Sequence, residues 1–174
     1  MNITTRPLST NELVMLVSKT PTPWKQIYFL AAYSGLRISD LLQLPWSNCP
    51  PYSNIVEIKT HKFKKVIWSD LARAHWNSLF NFGLPRNPLF PYYDPSTYRK
   101  AIQSDCKRLG IDEFRVAFHS LRKTHAVIAY KEGGILQAKV AMNHSKLSTT
   151  ETYIENALKM DTYSTYDTIF RGSK

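Results

Sequence analysis

The sequence predicts a single, mainly α-helical domain with a small antiparallel β-sheet, an α+β arrangement spanning residues 1–174. Two segments, Ser9-x-x-Glu12 and Ser148-x-x-Glu151, have the spacing of a helix-starting capping box. Between residues 54 and 68, two β-rich stretches flank a short polar segment, as expected for a hairpin. There is no internal repeat and no low-complexity tract. These observations favour one helical domain that carries one hairpin.

Three helices are predicted before the hairpin. The first begins at Ser9 and ends before Pro21, because its apolar residues recur at helical spacing behind the capping box. The second opens with Pro23 at its first position, runs to residue 33 and ends near Gly35. A short third helix covers residues 38–44 and is stopped by Pro45.

The predicted hairpin pairs residues 54–59 with residues 64–68 across the turn 60–63. Ser69 and Asp70 then open a helix that reaches residues 82–83. Three prolines between residues 84 and 94 indicate a loop.

Four further helices are predicted after this loop, at residues 94–110, 120–130, 135–142 and from Ser148 to about residue 160. Gly133 and Gly134 separate the second of these from the third. Asn143 precedes the last helix, and asparagine tolerates a left-handed backbone better than other non-glycine residues do. The final residues, 161–174, form a polar tail with interspersed aromatic and apolar residues.

Composition excludes several classes of protein. Hydrophobic residues make up 43% of the chain, enough for a sizeable core, yet no apolar run is long enough to span a membrane. The first residues lack the apolar core of a secretory signal. Cys49 and Cys106 are far apart and have no CxxC partner, so we expect neither a disulfide nor a zinc site, and a cytoplasmic location.

The chain carries a net charge of +10 and a pI near 9.6. Such a balance is typical of domains that bind the phosphate backbone of nucleic acid, although many basic proteins bind none. Basicity alone therefore leaves binding to double-stranded DNA and simple solubility equally open.

Six residues in a particular order give the sharper signal: Arg37, Lys59, His119, Arg122, His144 and Tyr153. Two guanidiniums can stabilise the charge that grows on a phosphodiester under attack. A phenol can act as nucleophile when cations and an accepting histidine assist it. A lysine can protonate the leaving oxygen. Together these groups suffice for cleaving a phosphodiester without a metal or a cofactor.

The motifs that hold these residues are SGLRIS (34–39), HSLR (119–122), NHS (143–145) and STTETY (148–153). They resemble the catalytic domain of the tyrosine recombinase, or phage-type integrase, family over residues 9–153. The resemblance implies the DNA breaking–rejoining fold and site-specific recombination through a 3′-phosphotyrosyl intermediate, without metal or ATP. It also implies a homotetramer on double-stranded DNA, whereas the isolated domain is expected to be a monomer.

The resemblance implies a role for each residue. Arg37 and Arg122 clamp the phosphate, His119 and His144 hydrogen-bond it, and Tyr153 is the nucleophile. Lys59 is the expected general acid, with Lys62 as the alternative because a register slip in the hairpin would exchange the two. Contacts to the DNA backbone are expected from Lys62, Lys64, Lys65 and Lys123.

Several alternatives remain at this point. The family's usual N-terminal core-binding domain is expected to be absent from this chain, which is then an excised integrase domain or a short DNA invertase. A type IB topoisomerase uses similar chemistry, and a non-catalytic DNA-binding regulator would keep the residues only as phosphate contacts. In the tail, Ile169 and Phe170 would contact a neighbouring protomer, close on their own domain, or fray.

Overall fold

The described part of the chain is mainly helical, with one two-stranded antiparallel sheet, so the predicted fold class is confirmed. A computed structural model describes residues 5–82, 89–90, 94–155 and 158. The chain divides into two compact units, Met1–Thr124 and His125–Lys174. The elements are α1 (Thr10–Lys19), α2 (Trp24–Ser34), α3 (Ile38–Leu41), β1 (Tyr52–Val56), β2 (Phe63–Ile67), α4 (Asp70–Asn81), α5 (Pro95–Leu109), α6 (His119–Met142) and α7 (147–155).

Local capping signals place three helix starts as predicted. The Ser9 hydroxyl accepts from the Glu12 N–H at 3.2 Å, and the Glu12 carboxylate accepts from the Ser9 N–H at 2.7 Å. Ser69 caps α4, and Asp94 caps α5 by accepting from the Ser96 N–H at 2.8 Å. Gly110 ends α5 with φ +72°, the left-handed conformation that favours glycine at this position.

Other boundaries were predicted wrongly by one to three residues. Pro23 is the N-cap of α2 and not its first helical residue, and α3 ends at Leu41 rather than at residue 44. The last helix already includes residue 147, so Ser148 lies inside its first turn and not at its N-cap. Tyr153 nevertheless lies in this helix, as expected.

The hairpin forms, but both of its strands begin and end earlier in the chain than predicted. Tyr52 pairs with Ile67 and Val56 pairs with Phe63, so β1 ends three residues before Lys59. Lys59 therefore lies in the turn 58–60 and not on the strand. The chain between the strands is held by the Glu57 N–H, which donates to the Lys62 carbonyl at 2.9 Å. The error arises because alternation fixes which face a residue takes but not where pairing stops.

The core of the first unit is rich in aromatic residues. Tyr28, Trp76 and Tyr98 are fully buried, and the Tyr28 hydroxyl donates to Asp105 at 2.8 Å. Both cysteines, Cys49 and Cys106, are buried in the same core. This packing supports α2, whose C-terminal end leads directly into the Arg37 motif.

The second unit contains most of α6 together with α7. Gly133 and Gly134 depart from helical geometry inside α6, as the sequence indicates, and Gly134 has φ +72°. Asn143 has φ +57°, the left-handed conformation that asparagine tolerates. A small apolar cluster unites the two helices: Ala126, Ala138, Met142 and Ile154.

Some predictions fall elsewhere in the chain. Most of the predicted loop 84–94, the end of the last helix near residue 160, and the tail with Ile169 and Phe170 lie outside the described residues. Within the described ranges, no helix combines the length and apolar character needed to cross a bilayer.

Candidate active site

Arg37 lies at the junction between α2 and α3. Gly35 ends α2 in the left-handed conformation, with φ +60°, and turns the chain so that Arg37 becomes the N-cap of α3. The Arg37 Nη1 atom lies 3.2 Å from Glu57 Oε1 and 3.8 Å from Asp40 Oδ2. Its side chain is 21% exposed, although the Nη1 atom that faces the two carboxylates is buried.

Arg122 approaches the same junction from α6. Its Nη1 atom donates to the Gly35 carbonyl and lies 3.9 Å from Glu57 Oε1. The side chain is only 2% exposed. The turn at Gly35 therefore serves both arginines, since it positions Arg37 along the chain and offers its carbonyl to Arg122.

Two acidic residues that the sequence reading did not assign to the site complete this cluster. Glu57 is 1% exposed, and its second oxygen accepts from the Thr60 hydroxyl at 2.5 Å. Burial would raise the pKa of Glu57, but the hydrogen bond from Thr60 and the charges of Arg37 and Arg122 outweigh it and lower the pKa. Asp40 is fully buried and accepts from the Ile58 N–H at 2.9 Å, which ties α3 to the hairpin.

Sequence signals for these acids exist but are weak. Asp40 follows Arg37 by three residues, the spacing of neighbours on a helix. Glu57 is the acidic residue in an otherwise basic hairpin. Neither signal reveals that both carboxylates are buried, because burial depends on packing between distant elements.

Lys64 on β2 has a pKa that the charges of both Arg37 and Arg122 shift. Its Nζ donates to the Ser34 carbonyl at 2.9 Å. Burial and the positive charges of Arg122 and Arg37 lower its pKa to about 8, against an opposing effect of Glu57 and Asp40. Lys64 was predicted as a contact to the DNA backbone, but its hydrogen bond and the causes of its pKa shift relate it to Arg37 and Arg122.

The other predicted lysines differ in exposure. Lys59 is exposed in the hairpin turn, and Lys62 is partly buried. Lys65 is exposed and stacks its ammonium 4.2 Å above the Tyr52 ring. Lys123 is 4% exposed and donates to the Thr5 carbonyl at 2.5 Å. The structure therefore gives no support to the expected DNA contact of Lys123, because its ammonium is engaged inside the protein.

His119 begins α6, one turn before Arg122. Desolvation by the surrounding protein and the positive charges of Arg122, Lys123, Arg37 and Lys59 lower its pKa to about 4. His119 is exposed to solvent, which screens these charges, and the direction of the pKa shift is downward. That direction keeps the imidazole neutral near pH 7 and able to accept a proton.

In the second unit, His144 and Tyr153 are neighbours. Their ring centroids are 5.9 Å apart in an edge-to-face arrangement. The His144 Nδ1 atom lies 3.1 Å from the hydroxyl of the buried Thr150. The left-handed Asn143 directs the chain into this arrangement, with the His144 N–H donating to the Lys139 carbonyl at 3.1 Å.

The structure thus assembles the predicted residues in two groups, one in each unit. In the first unit, Arg37 and Arg122 both approach Glu57. The charges of these two arginines help to lower the pKa of Lys64 and that of His119. In the second unit, His144 contacts Tyr153.

A family model described as the phage integrase family matches residues 7–160. The chain belongs to the phage integrase family. It is 26% identical over 147 residues to a probable integrase/recombinase of Acholeplasma phage L2, which covers 80% of this chain. The match spans 51% of that relative, so the chain corresponds to about half of its length.

Solved structures of integrases and recombinases have the same fold. The XerA recombinase superposes with a TM-score of 0.73 at 25% identity, over 94% of this chain and 64% of that protein. A lambda integrase tetramer bound to a Holliday junction gives a TM-score of 0.72 at 16% identity, over 88% of this chain and 49% of that protein. The SGLRIS, HSLR, NHS and STTETY motifs of this phage integrase family member all lie within the matched residues.

Proposed function

We propose that this chain is the catalytic domain of a site-specific tyrosine recombinase that cleaves and rejoins double-stranded DNA. One observation carries the proposal: the two arginines of the family motifs, 85 positions apart in the chain, meet at one carboxylate oxygen of Glu57. Two neighbouring guanidiniums suit a single phosphodiester, whose charge increases in the transition state.

The proposed reaction is a transesterification. The Tyr153 oxygen attacks the phosphorus atom, and the phenolic proton passes to a neutral histidine, for which His119 and His144 are the candidates. The bond from phosphorus to the 5′-oxygen breaks, and Lys59 in the hairpin turn protonates the leaving oxygen. Arg37 and Arg122 stabilise the charge on the phosphate oxygens. Attack by a 5′-hydroxyl on the phosphotyrosine reverses the steps, so rejoining needs neither ATP nor a metal.

We extend the proposal to the assembly and the location. Recombination joins two duplexes and needs four cleavage sites, so four chains would act together on DNA, as in the lambda integrase tetramer bound to a Holliday junction. The isolated domain would be a monomer in the cytoplasm. Residues 1–174 would act as one catalytic domain of a longer integrase or of a short recombinase.

Covalent trapping tests this function. Wild type and Tyr153→Phe are incubated with supercoiled plasmid and with nicked duplexes of a sequence selected by wild type from a random library. We expect an SDS-stable protein–DNA adduct with wild type only, while both proteins bind the duplex with similar affinity, because the change removes a single hydroxyl.

The outcomes separate the competing functions. An adduct that persists in Tyr153→Phe would refute the nucleophile. Equal DNA binding with no adduct in either protein would indicate a DNA-binding regulator. Relaxation of plasmid by monomers, with no strand exchange between duplexes, would indicate a type IB topoisomerase.

A further inference from the structure

We propose that Glu57 is a positioning residue of this site, which holds the guanidiniums of Arg37 and Arg122 at the separation that one phosphodiester requires. This inference rests on the proposed function, and it concerns a residue outside the SGLRIS, HSLR, NHS and STTETY motifs. Glu57 would act through the two arginines and would not itself touch the reacting atoms.

The two oxygens of Glu57 have separate partners. Oε1 lies 3.2 Å from Arg37 Nη1 and 3.9 Å from Arg122 Nη1, whereas Oε2 accepts from the Thr60 hydroxyl at 2.5 Å. In both ion pairs the guanidinium nitrogen that approaches Oε1 is Nη1. Because a guanidinium carries five N–H donors, contact with Glu57 is compatible with a bidentate contact to phosphate.

The backbone fixes Glu57 where the hairpin turns. Its N–H donates to the Lys62 carbonyl at 2.9 Å, and its carbonyl accepts from the His61 N–H at 2.8 Å. The residue is 1% exposed, so water competes little for the carboxylate. A carboxylate whose backbone is fixed by hydrogen bonds and which is shielded from water can set the position of a long, flexible arginine side chain.

Charge balance supports positioning rather than simple shielding of the arginines. The cations in this cluster are Arg37, Arg122 and Lys64, and the facing carboxylates are Asp40 and Glu57. These described groups leave the cluster net positive, which suits an anionic phosphodiester. Removing the charge of Glu57 would make the cluster more positive, so the attraction for DNA would persist while the arrangement of the arginines would be lost.

The test compares Glu57→Gln and Glu57→Asp with wild type. Asp70→Asn is the matched control, since it also removes one negative charge from the chain but at a fully exposed side chain. For each protein we would measure the single-turnover rate of adduct formation at saturating nicked duplex, the Kd for that duplex and the melting temperature. A fourth measurement, 15Nε relaxation of the Arg37 and Arg122 side chains without DNA, reports their order directly.

For Glu57→Gln we expect the rate to fall roughly 10- to 100-fold, as misplacement of catalytic groups by about an ångström does. The Kd should stay within about threefold of wild type or tighten. The order of both arginine side chains should drop. Glu57→Asp should recover part of the rate, because it keeps the charge at a shorter reach, and Asp70→Asn should match wild type.

Three results would overturn the inference. They are an unchanged rate in Glu57→Gln, a rate and a Kd that worsen together with the melting temperature in both Glu57 variants, or arginine order that does not change. If Glu57→Gln fails to fold, Glu57→Asp decides by the same criteria. Absence of an adduct in wild type would refute the proposed function, and the arginine relaxation in the DNA-free chain would still decide the role of Glu57.

Discussion

At the scale of single residues, the first unit concentrates buried charge around Glu57. A partly buried lysine beside two arginines is unfavourable, because desolvation penalises the charged ammonium and like charges repel. Asp40 and Glu57 offset part of this cost, and the Ser34 carbonyl accepts a hydrogen bond from Lys64. The arrangement is thus held by the ion pairs of Arg37 and Arg122 with Glu57 and by the hydrogen bond from Arg122 to the Gly35 carbonyl.

The lowered pKa of Lys64 predicts a dependence of stability on pH. In the folded chain the pKa is about 8, below its ordinary value of 10.5, so between these two values the unfolded chain binds more protons than the folded chain. Stability therefore rises as pH increases from about 8 to 10.5. Lys64→Met lacks this proton equilibrium, so the free energy of unfolding of wild type should rise relative to that of Lys64→Met across this range.

Urea denaturation at pH 7.5, 9 and 10.5 would measure the effect. Lys65→Met is the control, because it removes one charge from an exposed position on the same strand. A difference between wild type and Lys64→Met that stays constant with pH would contradict the desolvation of Lys64 beside the arginines.

The residues of the site were predictable to different degrees. Arg37, His119, Arg122, His144 and Tyr153 stand in motifs whose spacing is visible in the chain, so their candidacy follows from sequence. Glu57 and Lys64 have no such spacing. Their placement results from side-chain contacts between residues far apart in the chain, and no local signal along the chain reports it.

At the scale of elements, helices with local caps were predicted well and the hairpin less well. Ser9, Asp94 and Gly110 bond to residues within a few positions, so the sequence reports them directly. The strands of the hairpin depend on pairing across a turn, and the predicted register moved Lys59 onto a strand that ends at Val56. The same limit affects α7, whose start at residue 147 precedes the Ser148 box.

The turn between α6 and α7 gives a prediction at this scale. Asn143 has φ +57°, a conformation that costs a β-branched residue roughly 1–2 kcal/mol or more. Asn143→Val should therefore destabilise the chain by about 1–3 kcal/mol, whereas Asn143→Gly should retain most of the stability. Thermal and urea unfolding would measure both changes.

Asn81→Val is a suitable control for this comparison. Asn81 is exposed at the end of α4 in helical conformation, where asparagine and valine have similar propensities, so we expect a change below about 0.5 kcal/mol. Equal losses at the two positions would show that the left-handed turn is not what makes Asn143 important.

At the scale of the whole molecule, family membership and net positive charge both favour the proposed binding to DNA. The chain matches the phage integrase family over residues 7–160 and carries a net charge of +10. The sequence does not show which lysines contact DNA, since a lysine can bind phosphate, form a salt bridge or donate a hydrogen bond inside the protein. The structure separates these cases by exposure, and Lys65 and Lys123 are the clearest pair.

We therefore expect duplex binding to weaken steeply with salt, and the two lysines to contribute differently to the slope. Each phosphate contact adds about −0.9 to the dependence of log K on log salt, because binding releases condensed counterions. Lys65→Ala should make the slope less negative by about 0.9, since Lys65 is an exposed ammonium on the hairpin. Lys123→Ala should leave the slope unchanged and lower the melting temperature, because Lys123 is buried and donates to the Thr5 carbonyl.

Fluorescence anisotropy with one labelled duplex between 50 and 200 mM salt would measure both slopes, over the range in which phosphate contacts typically change affinity by about 10³ or more. A less negative slope for Lys123→Ala with an unchanged melting temperature would support the DNA contact first expected for Lys123. An unchanged slope for Lys65→Ala would place the bound phosphates away from the exposed face of β2.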